Sequence, residues 1–134
     1  MIFYHSLKNK YPSGAVTDKQ TIFIQVKVTK ETHLSSIQLV LKEDFTQTTS
    51  IYHPSRSTID ADATLYSFEI SPLHLGLYFY YFEVRSEIGT YFLSNHEFQA
   101  VPVLNYHEIN SWQLTVYEEQ FTTPEWFKGG IMYQ

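Results

Sequence analysis

The stretch LHLGLYFYYFEVR, residues 73–85, decides the fold. From Tyr78 onward every second residue is large and apolar, so Tyr78, Tyr80, Phe82 and Val84 share one side. Period two marks a strand with one face in a core. At the entry to this strand Leu73, Gly76 and Tyr78 stand in the spacing L-x-x-G-x-Y. That is the pattern of a tyrosine corner, in which a Tyr near the start of a strand hydrogen-bonds upstream backbone. Gly76 supplies the tight corner. The alternative makes Tyr78 one more inward aromatic. The Gly-x-Tyr at the mouth of the longest strand favours the corner.

The same alternation recurs along the chain. Ile22, Ile24, Val26 and Val28 share a face in TIFIQVKV, with Gln25 and Lys27 on the other. Ile37, Leu39 and Leu41 align in IQLVLK, and Tyr66, Phe68 and Ile70 in LYSFEI. TYFLS follows the turn SEIG, and WQLTVYE aligns Trp112, Leu114 and Val116. No helical stripe is sustained, and SPLHLG is the best place for a single helical turn. Short strands separated by turns read as an all-β fold, an immunoglobulin-like antiparallel β-sandwich. Tyr80 falls where antibody domains carry their second cysteine, and is expected to fill the core. The sandwich is expected over residues 1–104. Residues 105–120 read as a connector with a further strand, entered through VPVLNYHEINS, where Pro102 interrupts the ladder.

Composition limits the partners. The 134 residues suit one domain. Nine basic against 14 acidic residues leave a net charge of −5 and no basic run. Neither nucleic acid nor an anionic membrane surface is an expected partner. Without cysteine, disulfides, thiolate zinc sites and Cys nucleophiles are excluded. The start, MIFYHSLKNKYPSG, lacks the basic-then-apolar pattern of a signal peptide, so a cytoplasmic location is expected. The run LGLYFYYFEV is too short for a membrane-spanning helix, which takes about 20 residues.

Catalytic patterns are missing. No G-x-S-x-G, P-loop or H-E-x-x-H occurs. His5, His33, His53, His74, His96 and His107 lack ligand spacing. Asp60 and Asp62, with Asp44 upstream, read as a solvated turn rather than a calcium loop. No metal or other cofactor is expected. Glu118 and Glu119 are adjacent, so in a strand they face opposite sides and cannot flank one glycosidic bond. With 10 Phe, 11 Tyr and 2 Trp, aromatic sugar platforms deserve a search. Tyr4, Tyr11, Phe45 and Tyr52 fall in expected loops or edges and are the candidates for carbohydrate contact. Loop aromatics more often pin the loop to the core. No convincing pair of platforms is visible, and weak or absent glucan binding is expected.

The C-terminal segment QLTVYEEQFTTPEWFKGGIMYQ resembles the junction that leads into the catalytic (β/α)8 barrel of α-amylase-family enzymes, glycoside hydrolase family 13. The matching positions are Thr123, Pro124, Trp126, Lys128, Gly129, Tyr133 and Gln134, with Gly130 completing the Gly-rich step. YPSGAV, containing Pro12, Gly14, Ala15 and Val16, is similar to a P-x-G-A-V near the start of the N-terminal domain in pullulanase- and neopullulanase-like members, where Lys10 stands at a basic position. LGLYFYYFEV resembles that domain's long penultimate strand. The resemblance implies a non-catalytic N-terminal domain of the carbohydrate-binding module family 34 type, as in neopullulanase and cyclomaltodextrinase. Its implied partners are the catalytic barrel, a second subunit, or α-glucan. Residues 121–134 are then expected to be the severed entry into the barrel, with Ile131 to Tyr133 as its cut first strand and GGIMYQ either disordered or pairing with a neighbour. The competing reading is a stand-alone immunoglobulin-like interaction module, which leaves WFKGGIMYQ unexplained.

Overall fold

The computed structural model describes residues 1–118. Twelve strands occur among them. In chain order they are β1 (Ile2–Phe3), β2 (Lys10–Tyr11), β3 (Val16–Thr17), β4 (Ile22–Thr29), β5 (Ser36–Glu43), β6 (Thr49–Tyr52), β7 (Arg56–Ile59), β8 (Ala63–Ile70), β9 (Gly76–Ser86), β10 (Gly89–His96), β11 (Gln99–Val103) and β12 (Trp112–Tyr117). They form a two-sheet, all-β sandwich.

The longest strand organises the larger sheet. One side of β9 pairs with β5 from Ser36↔Arg85 to Glu43↔Tyr78. Its other side is shared, with β10 on the half from Phe82 to Ser86 and β12 on the half from Gly76 to Tyr80. β6, β11 and β3 extend the sheet on β5, β10 and β12. The β3–β12 pair is parallel, Val16 opposite Val116, so the expected antiparallel order has one exception. In the smaller sheet β4 pairs with β8 along its whole length, and β1 and β2 divide its other side. β7 closes the far edge on β8.

The alternating residues meet between the sheets. Ile22, Ile24, Val26 and Val28 face Ile37, Leu39, Leu41, Tyr80, Phe82 and Val84, and all are buried. Phe68 and Ile70 are buried as expected, while Tyr66 is half-buried against the same core. Each such side chain taken from water contributes about 1.5–3 kcal/mol. Trp112 stacks on Tyr80, ring centroids 5.6 Å apart at 17°, and meets Phe82 edge-on. The indole N–H donates to the Phe98 carbonyl at 3.1 Å. The strand read as part of a connector thus supplies the largest buried side chain of the sandwich.

Tyr4 corrects one expectation. It is a core residue, 2% exposed, rather than a loop aromatic. The first residues switch sheets: Ile2 and Phe3 pair with β4, then the Tyr4 carbonyl accepts from Ala100 and the Ser6 N–H donates to Phe98 in the larger sheet. At this crossing the Tyr4 ring enters the core, edge-on to Trp112 and Phe82. Its hydroxyl lies 2.6 Å from that of Tyr80, which satisfies two buried polar groups at once. Burial pushes both phenols above the ordinary tyrosine range.

Two other expectations change. Residues 99–103, expected to be broken by Pro102, form strand β11 with Pro102 opposite Leu93. The Ala100 N–H points away from β10, toward Tyr4. Two residues on, the nitrogen of Pro102 faces the same outer edge, where a missing N–H breaks no ladder bond. The segment SPLHLG forms no helical turn, and the 3₁₀ turn of the described residues is at Tyr106–Glu108. The junction positions Pro124, Trp126, Gly129, Gly130 and Tyr133 lie outside the described residues, as does the expected severed strand.

The tyrosine corner is present. The Tyr78 hydroxyl donates to the His74 carbonyl at 2.8 Å, and Gly76 adopts φ +149°. A Cβ at Gly76 would meet nothing closer than 3.8 Å, so the constraint is backbone conformation rather than space. Gly76→Ala is expected to destabilise by about 1–3 kcal/mol. Tyr78→Phe, which removes one hydrogen bond at a partly wet site, is expected to lose only about 0.5–1.5 kcal/mol. Urea unfolding of both variants checks this order. Equal losses, or a larger loss for Tyr78→Phe, would contradict the assigned roles.

Candidate functional site

The outer face of the smaller sheet carries the most organised surface group. Its residues are those that alternate away from the core on β4. Phe23, Gln25 and Lys27 point outward because Ile22, Ile24, Val26 and Val28 point inward. Register then brings distant residues beside them. Tyr11 lies opposite Phe23 across the β2–β4 pair. Gln25 lies opposite Ser67, and Ser67 opposite Arg56. On the other side of Gln25, its N–H donates to the Asn9 carbonyl at 2.9 Å.

The result is two adjacent rows. One is aromatic, Tyr11 and Phe23. The other is polar and crosses the sheet as Asn9, Gln25, Ser67 and Arg56. Rows two residues apart on a strand are separated by about 7 Å, and neighbouring strands by about 4.8 Å. Between the rows lies a depression of about 320 Å³, which Lys8 also lines. Tyr11 is 73% and Phe23 48% exposed, so both rings keep a face toward solvent.

The loop that holds Tyr11 is anchored from below. Lys10 alternates inward, is buried, and donates from Nζ to the carbonyl oxygens of Pro12 at 2.6 Å and Gly14 at 2.8 Å. Burial lowers its amine to about 8. Lys10 therefore positions Tyr11 and has little freedom to contact a ligand itself.

Of the four aromatics singled out by sequence, only Tyr11 belongs to this face. Tyr4 has no ring face left for a ligand. Phe45 is 91% exposed, but in the turn after β5 of the other sheet. Tyr52, on β6 opposite Leu39, is half-buried against the core, and burial raises its phenol. Phe23, Gln25 and Arg56 escaped the sequence reading as site residues. The available signal was an exposed-face Phe at position 23, beside two inward isoleucines.

A second surface lies on the outer face of the larger sheet. Tyr81, Phe92 and Tyr106 form a triangle with all three centroid separations at 6.1 Å and edge-on geometry. Phe79 and Val40 continue this apolar face, since Val40 lies opposite Tyr81 and Phe79 is two residues along β9. Burial first, then the neighbouring Tyr106 phenol and the Glu83 charge, push the Tyr81 hydroxyl up to about 12. Rings locked edge-to-face expose rims rather than one flat platform, which suits packing against another surface.

No protein-family model matches the chain. The chain is 26% identical over 148 aligned residues to an amylopullulanase of Thermoanaerobacterium thermosulfurigenes, covering 99% of this chain and 8% of the relative. It is 25% identical to an amylopullulanase of Thermoanaerobacterium saccharolyticum and 24% identical to one of Thermoanaerobacter thermohydrosulfuricus, over 11% and 10% of their lengths. The chain thus spans about a tenth of the curated relatives it matches. Among solved structures, a cyclomaltodextrinase shares the fold at a TM-score of 0.64 and 11% identity, over 94% of this chain and 21% of that one. The chain is therefore similar along nearly its whole length to one segment of much longer amylopullulanases, in agreement with the resemblance to α-amylase-family enzymes read from its sequence.

Proposed function

We propose that this chain is the N-terminal accessory domain of an α-glucan-hydrolysing glycoside hydrolase, and that it contacts glucan through the outer face of the smaller sheet. The observation that carries the sugar contact is the pairing of two exposed rings with a polar row. Sugar rings offer apolar C–H faces to Tyr11 and Phe23, and hydroxyls to Asn9, Gln25 and Ser67. The lining of this depression holds no Asp or Glu. It cannot supply the two carboxylates that glycosidic hydrolysis uses, so its part is binding, with cleavage assigned to a catalytic barrel elsewhere in the parent enzyme.

A second surface role is supported by the Tyr81, Phe92 and Tyr106 triangle. A contiguous aromatic face on the outside of a sheet marks a contact surface, and the proposed occupant is the parent's catalytic part or a second subunit. The two roles use opposite sheets and do not compete. A stand-alone interaction module would use the aromatic triangle alone and leave the Tyr11 and Phe23 face without purpose.

Calorimetric titration with maltoheptaose separates these readings. The intact chain is expected to bind with Kd on the order of 1 mM, a free energy of about −4 kcal/mol. Tyr11→Ala and Phe23→Ala should each weaken binding at least several-fold, and Tyr81→Ala should leave it unchanged. No heat at 10 mM sugar (about ten times that Kd), or loss confined to Tyr81→Ala, would remove the glucan role from the smaller sheet.

A further inference from the structure

The same depression holds more positive charge than a neutral glucan requires. Lys8 and Arg56 both line it, and neither forms an ion pair among the described residues. Both side chains are exposed and available. Lys27 adds a third cation one row along β4. Lys10 is committed to the Pro12 and Gly14 carbonyls and does not count. Against these stands Glu69, opposite Phe23 and outside the lining. In a chain of net charge −5, a ligand-sized depression lined by cations and free of carboxylates runs against the global balance.

From this charge pattern we infer that the face recognises a hexose unit carrying a phosphate monoester, rather than neutral glucan alone. The inference rests on the sugar-binding reading above and names the ligand class for that same site. A phosphate monoester carries about −1.5 to −2 charges near neutral pH and three strong acceptor oxygens. Arg56 presents the planar fork that binds two such oxygens together, and Lys8 supplies a mobile point charge. Arg56 sits at the end of the polar row, beyond Ser67 and Gln25, with the aromatic row alongside. A hexose over the rings therefore places its substituents along the row that ends in the guanidinium. Two sources share this chemistry: a phosphorylated α-glucan chain and a free hexose phosphate.

The test titrates the full chain with four probes: maltoheptaose, maltodextrins bearing one phosphate monoester, glucose 6-phosphate and inorganic phosphate. The phosphorylated maltodextrin is expected to bind on the order of tenfold tighter than maltoheptaose at low salt, the scale of one added charge-assisted hydrogen bond. That advantage should shrink as ionic strength rises. Arg56→Gln and Lys8→Gln should erase the advantage, so that each variant binds phosphorylated maltodextrin no more tightly than it binds maltoheptaose, with Arg56→Lys restoring part of the difference. Glucose 6-phosphate matching the phosphorylated chain would support the inference with the free hexose phosphate as source. Equal binding of neutral and phosphorylated maltodextrin would overturn the inference and leave the glucan reading intact. Inorganic phosphate binding as tightly as glucose 6-phosphate would overturn it in favour of a bare anion site. Absence of binding by both maltodextrins would remove both readings. Arg56 and Lys8 are exposed, so their variants are expected to stay folded, and an unchanged near-ultraviolet circular dichroism spectrum checks this.

Discussion

The hydrogen bond between the buried hydroxyls of Tyr4 and Tyr80 ties the N-terminal strap, and with it one flank of the proposed site, to the core of the sandwich. Tyr80 belongs to the central strand of the larger sheet and stacks on Trp112. Tyr4 belongs to a segment that has no long strand of its own. Ile2 and Phe3 before it pair with β4, whereas the Tyr4 carbonyl and the Ser6 N–H bond Ala100 and Phe98 at the edge of the larger sheet. Such short pairings contribute little alone. The Tyr4 ring, packed against three core aromatics, supplies the burial that holds the segment across the open side of the sandwich. Each phenol leaves the other without a partner if it is lost, which is the expensive case for a buried polar group.

That tie has a consequence for the surface. Lys8, Asn9, Lys10 and Tyr11 follow Tyr4 directly and form one flank of the depression on the smaller sheet. Asn9 reaches β4 through its carbonyl, and its side-chain oxygen accepts from the His5 N–H at 2.9 Å. Lys10 folds the following turn over its own amine. The core therefore positions half of the proposed site by anchoring a strap. The other half, Phe23, Gln25, Ser67 and Arg56, is carried by the regular ladder of β4, β8 and β7. The aromatic triangle of the larger sheet depends on neither, so the two proposed surface roles draw on separate residues.

Much of the sandwich was legible because its strands are long enough to show a period. Ile22 to Val28 and Tyr78 to Val84 alternate over four inward positions each, and all eight are buried. The corner at Gly76 and Tyr78 was readable because it is local. Tyr4 was not readable, since a two-residue strand that changes sheet has no period to detect. Pro102 looked like a break because sequence does not say which edge its nitrogen faces. The parallel pairing of β3 is a long-range choice with no local mark. The site was partly legible for the same reason. Tyr11 was singled out as an aromatic in an expected loop or edge, whereas Arg56 joins it only through the register of three strand pairs, which sequence leaves open.

The most direct measurement is amide hydrogen exchange at Gln25 and Ala100, whose N–H groups donate to Asn9 and Tyr4 of the strap. In the intact chain both are expected to be protected, though less than the central amides of β9. In Tyr4→Ala both should exchange freely while Phe82 in β9 stays slow, showing that the strap detaches from an intact sandwich. Unchanged protection at Gln25 and Ala100 in that variant would contradict the account, because the segment would then be held without the Tyr4 anchor.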